Sequence, residues 1–356
     1  MDHLATLTQI VQQFTSSETI RNFGNGHIND TYCVGDDTYI LQRINTNVFK
    51  NPDAVMENID NVTAFLREKI KAEGGDPDRE TLTVVKTLDG KNYYKHDDNT
   101  VFRMYLFIKN AFSIEDTPSY EDLYQAGIGF GHFQKLLNDF PVETLHETIP
   151  NFHHTPKRVE ALKQAIEENR AGRKDSCMAE IKFALEKASF ADKVISGIAE
   201  GKIPVRVTHN DTKINNLLFD TDTRKPITVI DLDTVMPGSA LYDFGDALRV
   251  GASTGAEDET DLSKVTFDPK AFESFAKGFL FEMKDLLTDE ELALLPFSVK
   301  LLTYECGIRF LTDYLNGDTY FKIHREHHNL DRARTQFKLV AEIEKTENDL
   351  LKYCIR

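Results

Sequence analysis

Polar side chains of the types that phosphoryl transfer needs cluster between Thr208 and Asp233, in T-H-N-D-T-K-I-N-N and V-I-D-L-D. Asn216 follows Asp211 by five residues and Asp231 follows it by twenty. This is the spacing of a loop H-x-D-x-x-x-x-N followed by an aspartate at the end of a later strand. A polar turn between two buried strands would also collect Asp and Asn. A turn alone does not explain the later aspartate, so the catalytic interpretation is favoured.

Each of these side chains has a chemical role that its type can fill. A carboxylate at Asp211 can accept the proton of an acceptor hydroxyl and aim its oxygen at the γ-phosphate of ATP. Asn216 and Asp231 supply the hard oxygen ligands that Mg²⁺ prefers. Lys213 is placed to meet the negative charge that develops on the transferred group.

The strings H-N-D-T-K-I-N-N and V-I-D-L-D-T resemble the aminoglycoside phosphotransferase and choline kinase group of small-molecule kinases. G-N-G-H-I-N-D-T-Y, F-R-M-Y-L-F-I and I-D-L-D-T-V-M-P-G are similar to one branch, the N-acetylhexosamine 1-kinases. The resemblance covers nearly the whole chain. It implies an α+β, protein-kinase-like, two-lobed fold, with a sheet-rich nucleotide-binding lobe over residues 1–107 and a mostly helical catalytic and substrate-binding lobe over residues 108–356.

The resemblance also implies a reaction, with ATP and Mg²⁺ as cofactors. The reaction is phosphorylation of the C1 hydroxyl of an N-acetylhexosamine such as GlcNAc or GalNAc, and Asp211 both contacts the sugar and acts as the base. Resemblance alone adds His27, Arg309 and Tyr320 as sugar-binding residues. Without it, Arg309 in an apolar helix is interpreted as a buried ion-pair partner of Glu305 or Asp313.

Asp233 is a further candidate, because it follows Asp231 by two residues. If both lay on one strand, their side chains would point the same way. Asp233 would then take a sugar hydroxyl or help with the metal.

The elements that must position these groups begin with a helix over residues 2–14, where apolar residues recur at helical spacing. F-G-N-G-H-I-N-D-T-Y-C-V and T-Y-I-L-Q-R-I then predict a strand, a glycine turn and a second strand. In a kinase, backbone N–H groups of such a turn, here Gly24, Asn25 and Gly26, lie over the ATP phosphates. A plain hairpin with an Asn-Gly turn shows the same pattern, and the downstream motifs favour the nucleotide loop.

Arg43 ends the second strand, where protein kinases carry a lysine that pairs with phosphate and with a helix glutamate. A guanidinium can contact phosphate bidentately, and an exposed strand-end arginine is the alternative interpretation. Glu57, on a helix that Asn51 and Pro52 should begin, is the expected partner of Arg43; Asp60 and Glu68 lie on the same helix. The resemblance makes the strand at Met104, Tyr105 and Leu106 the hinge that meets adenine.

Two further motifs are set aside. Gly127, Gly129 and Gly131 are flanked by strong helix formers with no preceding strand, so close helix packing explains them better than a phosphate loop. Asp243-Phe244-Gly245 spells the kinase D-F-G motif but lies too far from Asn216 and does not end a strand. Asp243 or Asp246 is therefore predicted to be a helix cap or a loop anchor.

Composition bounds the partners. The formal net charge is -16 with no long basic run, which argues against a nucleic-acid partner. The four cysteines lack paired or metal-type spacing, which is typical of free thiols. No basic segment followed by an apolar core opens the chain, and no apolar run reaches membrane-spanning length. The expectation is a cytoplasmic protein with no membrane partner; its oligomeric state is not indicated, and a monomer is favoured.

Other functions stay open on the sequence. Choline or ethanolamine would need an aromatic cage, for which Trp is best, and the chain has no Trp. An aminoglycoside, as a polycation, would suit the acidic segment at residues 255–261, which is otherwise a solvated loop. A non-catalytic sensor of nucleotide or sugar is the alternative from another class, and the missing lysine at position 43 keeps it open.

Overall fold

The computed structural model describes residues 3–23, 30–97 and 100–355. Its helices are α1 His3–Val11, α2 Pro52–Ala72, α3 Pro77–Glu80, α4 Tyr120–Leu136, α5 Thr155–Glu168, α6 Met178–Lys187, α7 Lys193–Ala199, α8 Ala240–Gly251, α9 Pro269–Met283, α10 Asp289–Asn316 and α11 His328–Leu350. Its strands are β1 Ile20–Asn22, β2 Thr31–Val34, β3 Tyr39–Ile44, β4 Val84–Val85, β5 Tyr94–Asp97, β6 Thr100–Leu106, β7 Ala111–Phe112, β8 Arg206–Thr208, β9 Leu217–Asp220, β10 Pro226–Val229 and β11 Met236–Gly238. Short 3-10 helices cover Val142–Thr144, Lys174–Cys177, Ala188–Phe190, Ile214–Asn216, Leu232–Thr234, Leu262–Lys264 and Leu351–Tyr353.

The chain divides into two compact units. Unit 1 consists of Met1–Ser113, Leu136–Pro150 and Asn216–Pro237, and unit 2 consists of Ile114–Lys135, Asn151–Asn215 and Gly238–Arg356. Unit 1 is rich in antiparallel strands, whereas unit 2 is built mainly from helices α4 to α11. The predicted α+β class is confirmed. The predicted lobes, residues 1–107 and 108–356, stay a prediction.

The main sheet of unit 1 has the strand order β1-β2-β3-β6-β4, and β5 also pairs with β6. Every pairing is antiparallel. One face of the sheet is covered by α1, because alternate strand side chains and one stripe of the helix are both apolar. This cluster contains Leu7, Ile10, Val11, Phe14, Tyr32, Val34, Leu41, Phe102 and Met104.

Several sequence-based predictions for unit 1 are confirmed. The opening helix forms as α1, and β3 covers the predicted strand. Helix α2 begins as expected, with Pro52 in its first turn and the Asn51 side chain accepting from Ala54 N at 3.3 Å. A turn at residues 88–90 lies between β4 and β5, and both of these strands pair with β6.

A second sheet of unit 1, in the order β10-β9-β7, brings together two parts of the segment between Thr208 and Asp233. In the β9–β10 ladder Val229 lies opposite Leu217, and beyond it Ile230 N donates to Asn216 O at 2.9 Å. The residues that follow β10 and the residue that precedes β9 therefore lie at the same end of this ladder.

Unit 2 packs its helices closely, and glycine makes this possible where α4 meets α9. A Cβ added at Gly127 would lie 2.2 Å from Phe275 O, and one at Gly278 would lie 2.0 Å from Tyr124 O. The predicted close helix packing at Gly127 and Gly131 is thus confirmed. Within the described ranges, no helix has both the length and the apolar character needed to cross a bilayer.

Candidate active site

The loop after β8, His209 to Lys213, lies in unit 2 and carries the predicted base. His209 is fully buried between the Phe130 and Phe133 rings, at centroid distances of 6.3 and 6.1 Å. Its Nδ1 accepts a hydrogen bond from Asp211 N at 3.2 Å. Asn210 has a positive φ of 66°, which Asn tolerates better than most residues. The resulting sharp turn leaves Asp211 partly exposed at the end of the strand.

Two aspartates on the first turns of α8 hold this loop by its backbone. Asp243 accepts from His209 N at 2.9 Å and from Asn210 N at 2.7 Å, while Asp246 accepts from Thr212 N at 3.1 Å. The Thr212 hydroxyl donates to the Asp243 carbonyl at 2.6 Å. Every backbone N–H from His209 to Thr212 therefore has a partner inside unit 2, and buried carboxylates make such bonds strong.

Asp243 is therefore a loop anchor, as predicted, and not a helix cap. The cap of α8 is Ser239, whose hydroxyl accepts from Leu241 N at 3.3 Å. The side-chain Nε2 of Gln134 also donates a hydrogen bond to the Asp243 carboxylate, at 2.6 Å. Burial raises the pKa of Asp243, and His209 with the donated hydrogen bonds acts in the opposite direction.

The Asp243→Asn variant is expected to lose about 1–3 kcal/mol of unfolding free energy. Both oxygens of Asp243 accept hydrogen bonds from N–H groups, and the NH₂ group of Asn cannot accept one in place of an oxygen. Turnover should fall with it, while the Mg²⁺ concentration at half-maximal activity should not change. Asp231→Asn is the matched variant, and it should raise that Mg²⁺ concentration with little loss of stability. Urea unfolding and Mg²⁺ titration of both variants test this. A shift in the Mg²⁺ requirement with Asp243→Asn alone would assign the metal to Asp243.

Asp211 and Lys213 form an ion pair at 2.9 Å, with side chains 21% and 43% exposed. Burial alone would raise the pKa of Asp211, but the Lys213 ammonium and His209 outweigh it, so this pKa lies below its usual range. The Asp211 carboxylate in turn raises the pKa of Lys213. The pair consequently holds an ionised carboxylate beside a cation, which suits a proton acceptor next to a charged phosphate.

The predicted metal ligands lie in unit 1. Asn216 ends the 3-10 helix Ile214–Asn216, and Asp231 follows β10 with a positive φ of 58°. Both lie at the end of the β9–β10 ladder that the Ile230–Asn216 backbone bond closes. An amide oxygen and a carboxylate form a donor set that fits Mg²⁺, which completes its shell with water and phosphate. In the described part of the chain, no three His, Cys, Asp or Glu side chains are grouped to hold a metal by themselves.

The predicted position of Asp233 is wrong. Strand β10 ends at Val229, and Asp231 turns the chain into the 3-10 helix Leu232–Thr234, so the two aspartates do not share a strand. Asp233 is only 2% exposed and forms an ion pair with Arg103 on β6. The Arg103 Nε and Nη2 atoms also donate to Gln42 Oε1, at 3.3 and 3.1 Å. Arg103 is not among the residues predicted from the sequence, although a lone arginine inside an apolar strand indicates a buried partner.

The predicted pair of Arg43 with Glu57 is also wrong. Arg43 is exposed on β3 and lies 3.5 Å from Asp30, whereas Glu57 lies 2.8 Å from His146. The neighbouring helix residue Asn58 faces inward and donates to the carbonyls of His146 and Val235. Nucleotide binding by Arg43 or Glu57 stays a prediction.

The structure describes only some of the other residues that are predicted to contact the nucleotide. Gly24, Asn25, Gly26 and His27 lie outside the described residues. Met104 and Tyr105 are buried in β6, and burial raises the pKa of the Tyr105 phenol. The N–H of Leu106 donates to Thr83 O at 3.0 Å. The predicted adenine contact at this strand remains a prediction.

Arg309 and Tyr320, predicted from resemblance alone, lie together in unit 2. The Arg309 guanidinium carbon is 5.2 Å from the Phe152 ring centroid, 5.5 Å from that of Phe321 and 5.9 Å from that of Tyr320. We call these four residues the arginine–aromatic cluster. Glu305 contacts His153 and Thr155 directly and interacts with Arg309 through its charge, whereas Asp313 accepts from backbone N–H groups of residues 319–321.

The acidic segment at residues 255–261 is not simply solvated. Glu257 accepts from Arg249 Nη1 at 2.8 Å, and the same guanidinium contacts Asp246 at 3.1 Å through Nε. Arg249 is buried, and the sequence marks it only as a charged residue within an apolar helix. This segment is therefore connected, through Arg249 and Asp246, to the backbone N–H of Thr212.

The anchored H-N-D-T-K loop and the Asn216 and Asp231 pair at a strand end are features of kinase-like phosphotransferases. The chain belongs to the phosphotransferase enzyme family, because residues 19–267, more than half of its length, match the model of that family. It is thus a phosphotransferase of that family, and the superfamily predicted from the motifs is confirmed.

Solved structures of low sequence identity share the fold. A microcompartment-associated aminopropanol kinase is 17% identical, with a TM-score of 0.59 and 98% of each chain covered. A spectinomycin phosphotransferase, solved with ADP and spectinomycin, is 14% identical, with a TM-score of 0.58, and 97% of this chain and 98% of that one are covered. An aminoglycoside 2'-phosphotransferase-IIIa, solved with GDP, is 14% identical, with a TM-score of 0.55, and 98% and 99% are covered. The predicted kinase-like fold is confirmed.

Proposed function

We propose that the protein transfers the γ-phosphate of ATP to the anomeric C1 hydroxyl of an N-acetylhexosamine such as GlcNAc or GalNAc, and so produces ADP and the sugar 1-phosphate. The observation that carries the proposal is Asp211, an ionised and partly exposed carboxylate on a loop whose backbone donors from His209 to Thr212 are engaged. A base held in this way does not have to be ordered when the acceptor binds.

In the proposed reaction Asp211 accepts the proton of the C1 hydroxyl while its oxygen attacks the γ-phosphorus. The new O–P bond forms as the bond between the γ-phosphorus and the ADP oxygen breaks. The C1–O bond of the sugar is not broken, so the anomeric configuration is retained. Lys213 and Arg43 offset negative charge on the phosphates.

Asn216 and Asp231 are the residues that would hold Mg²⁺. When bound, the ion neutralises part of the phosphate charge. The proposed nucleotide contacts are the backbone of Gly24, Asn25 and Gly26, together with the residues predicted above on α2 and β6. Glu57, Met104, Tyr105 and Leu106 complete that proposed set.

The arginine–aromatic cluster supports a neutral sugar as the acceptor. A guanidinium presents N–H donors in a fixed fork that can meet a hydroxyl or an acetyl carbonyl oxygen. Tyr320, at 57% exposed, also offers an aromatic face, and such faces pack well on the apolar side of a sugar ring. His27 is the third proposed sugar contact. Asp233 is left out of the acceptor set because Arg103 pairs with it in a buried position.

An amino alcohol is the second candidate, since one similar structure is an aminopropanol kinase. A cationic acceptor needs carboxylates or an aromatic cage that is free to receive it. In the arginine–aromatic cluster the rings already surround a cation of the protein itself. A second cation there would be repelled, which makes choline, ethanolamine and aminopropanol weaker candidates than an N-acetyl sugar.

The test is ADP release with Mg²⁺ and ATP against GlcNAc, GalNAc, glucose, aminopropanol, choline, kanamycin and homoserine, with Asp211→Asn as the inactive control. We expect strong release with the two N-acetyl sugars and a C1 phosphate by ³¹P NMR. Stronger release with an amino alcohol or kanamycin would replace the hexosamine with that acceptor. ATP binding without release for any acceptor would favour the sensor and contradict the proposal.

A further inference from the structure

His153 is a buried histidine that no part of the proposed reaction uses. It precedes α5 in the segment N-F-H-H-T-P and is 9% exposed. Its Nδ1 lies 2.8 Å from Glu305 Oε1 on α10, and its Nε2 lies 3.3 Å from the carbonyl oxygen of Asn210. Asn210 directly precedes Asp211, so this histidine joins α10 to the loop of the proposed base.

Both partners of the ring are hydrogen-bond acceptors. A peptide carbonyl can only accept. Glu305 is 1% exposed, and its Oε2 accepts from the Thr155 hydroxyl at 2.6 Å. Burial alone would raise the pKa of Glu305, but His153, Arg309 and the Thr155 hydroxyl outweigh it and lower this pKa. An ionised carboxylate also only accepts, so each ring nitrogen faces a group to which it must donate.

The ring lies among aromatic side chains and beside one carboxylate. The Phe152 ring lies at a centroid distance of 4.6 Å and the Tyr242 ring at 5.1 Å. Arg158 and Arg309 are charged groups that also act on Glu305. Glu305 is the carboxylate that directly contacts the ring.

We infer that His153 is a buried imidazolium that positions the catalytic base by donating a charge-assisted hydrogen bond to the Asn210 carbonyl. The peptide between Asn210 and Asp211 is then held at both ends. Its carbonyl accepts from His153, and its N–H donates to Nδ1 of His209. Two histidines thus fix the peptide plane from which the Asp211 side chain extends.

This inference rests on the proposed role of Asp211, yet its first test needs no acceptor. The full chain with ¹⁵N-labelled histidine rings is examined by NMR about two pH units above the ordinary histidine pKa of ~6.5. The signals of His153 are identified by their loss in the His153→Gln variant. We expect both ring nitrogens of His153 to remain protonated while exposed histidines are neutral. A His153 ring with one unprotonated nitrogen would overturn the inference.

Glu305→Gln is the second variant, and it assigns the ring even if His153→Gln does not fold. A glutamine can donate to Nδ1, so His153 should become neutral and keep Nε2–H on the Asn210 carbonyl. The ring whose ¹⁵N signals show a change from two protonated nitrogens to one in this variant is His153. The absence of any such change would contradict the inference.

Kinetics then separate positioning from a structural role. With the acceptor found in the panel, His153→Gln should lower kcat about 10- to 100-fold with unchanged KM for acceptor and ATP, as expected for a misplaced base. Glu305→Gln should lower kcat less, because the hydrogen bond from His153 to the Asn210 carbonyl remains. His132→Gln, which alters a partly exposed histidine 3.5 Å from Glu282, is the control and should match the unchanged protein. An unchanged kcat in His153→Gln would refute the positioning role.

Discussion

The Asp211→Asn variant is expected to turn over about 10²- to 10⁴-fold more slowly than the unchanged protein, the usual contribution of a general base. The amide has nearly the same shape, but it cannot accept the acceptor proton. The backbone bonds of His209 to Thr212 do not involve the Asp211 side chain, so the loop should keep its conformation. KM for ATP and the affinity for ADP should therefore be unchanged.

ADP release and a separate ADP titration check this prediction. Asp222→Asn, at an exposed turn of unit 1, is the matched control and should keep full activity. Lys213 loses its ionic partner in Asp211→Asn, so Lys213→Met belongs in the same series. It should lower turnover less, because it removes charge stabilisation and leaves the base in place. Near-normal turnover in Asp211→Asn would remove Asp211 from the mechanism.

Arg103→Met is expected to destabilise the protein by about 3–5 kcal/mol, because it leaves the buried Asp233 carboxylate without its cation. Arg103 is fully buried and Asp233 is 2% exposed, so water cannot replace the lost partner. Gln42 loses its donor in the same variant. The double variant Arg103→Met with Asp233→Leu should recover most of the loss, since no charge is left buried.

Urea unfolding followed by circular dichroism measures these differences, and the absence of Trp rules out tryptophan fluorescence as the probe. Lys182 and Glu186 provide the control pair, at 3.8 Å with side chains 76% and 62% exposed. Removing that pair should cost at most about 1 kcal/mol. A loss of the same size in Arg103→Met would mean that the ion pair with Asp233 contributes no more than a surface pair.

The sequence predicted best what depends on neighbours along the chain. The opening helix and β3 follow from local periodicity and α2 from its capping residues, and the structure contains all three. The types and spacing of Asp211, Asn216 and Asp231 indicate the kind of chemistry, and the family match agrees with it. A short loop and a strand end leave few alternatives for placing such groups, and the role of each residue stays a prediction.

The predictions failed where distant segments meet. The pair of Arg103 with Asp233 joins residues that are far apart in sequence, and no periodicity connects them. Asp231 and Asp233 were placed on one strand because a strand end cannot be located to within two residues from its apolar pattern. Glu57 is predicted as the partner of Arg43 only because it lies on the helix that follows β3, and His146, from a distant loop, is its actual partner.

The hydrogen bonds that Asp243 and Asp246 accept from the loop of the proposed base form a frame around it, and this frame affects how such proteins can diversify. Asp243 and Asp246 hold that loop from α8, and they are buried, whereas Tyr320 of the arginine–aromatic cluster is exposed. With Tyr320 in its proposed role as an acceptor contact, we expect substitutions there to change which acceptor fits without breaking a hydrogen bond of the frame. New acceptor preferences would then be accessible by single mutations at Tyr320, while the proposed chemical step is kept. A directed-evolution library should accordingly vary position 320 and leave residues 209–213, 243 and 246 unchanged.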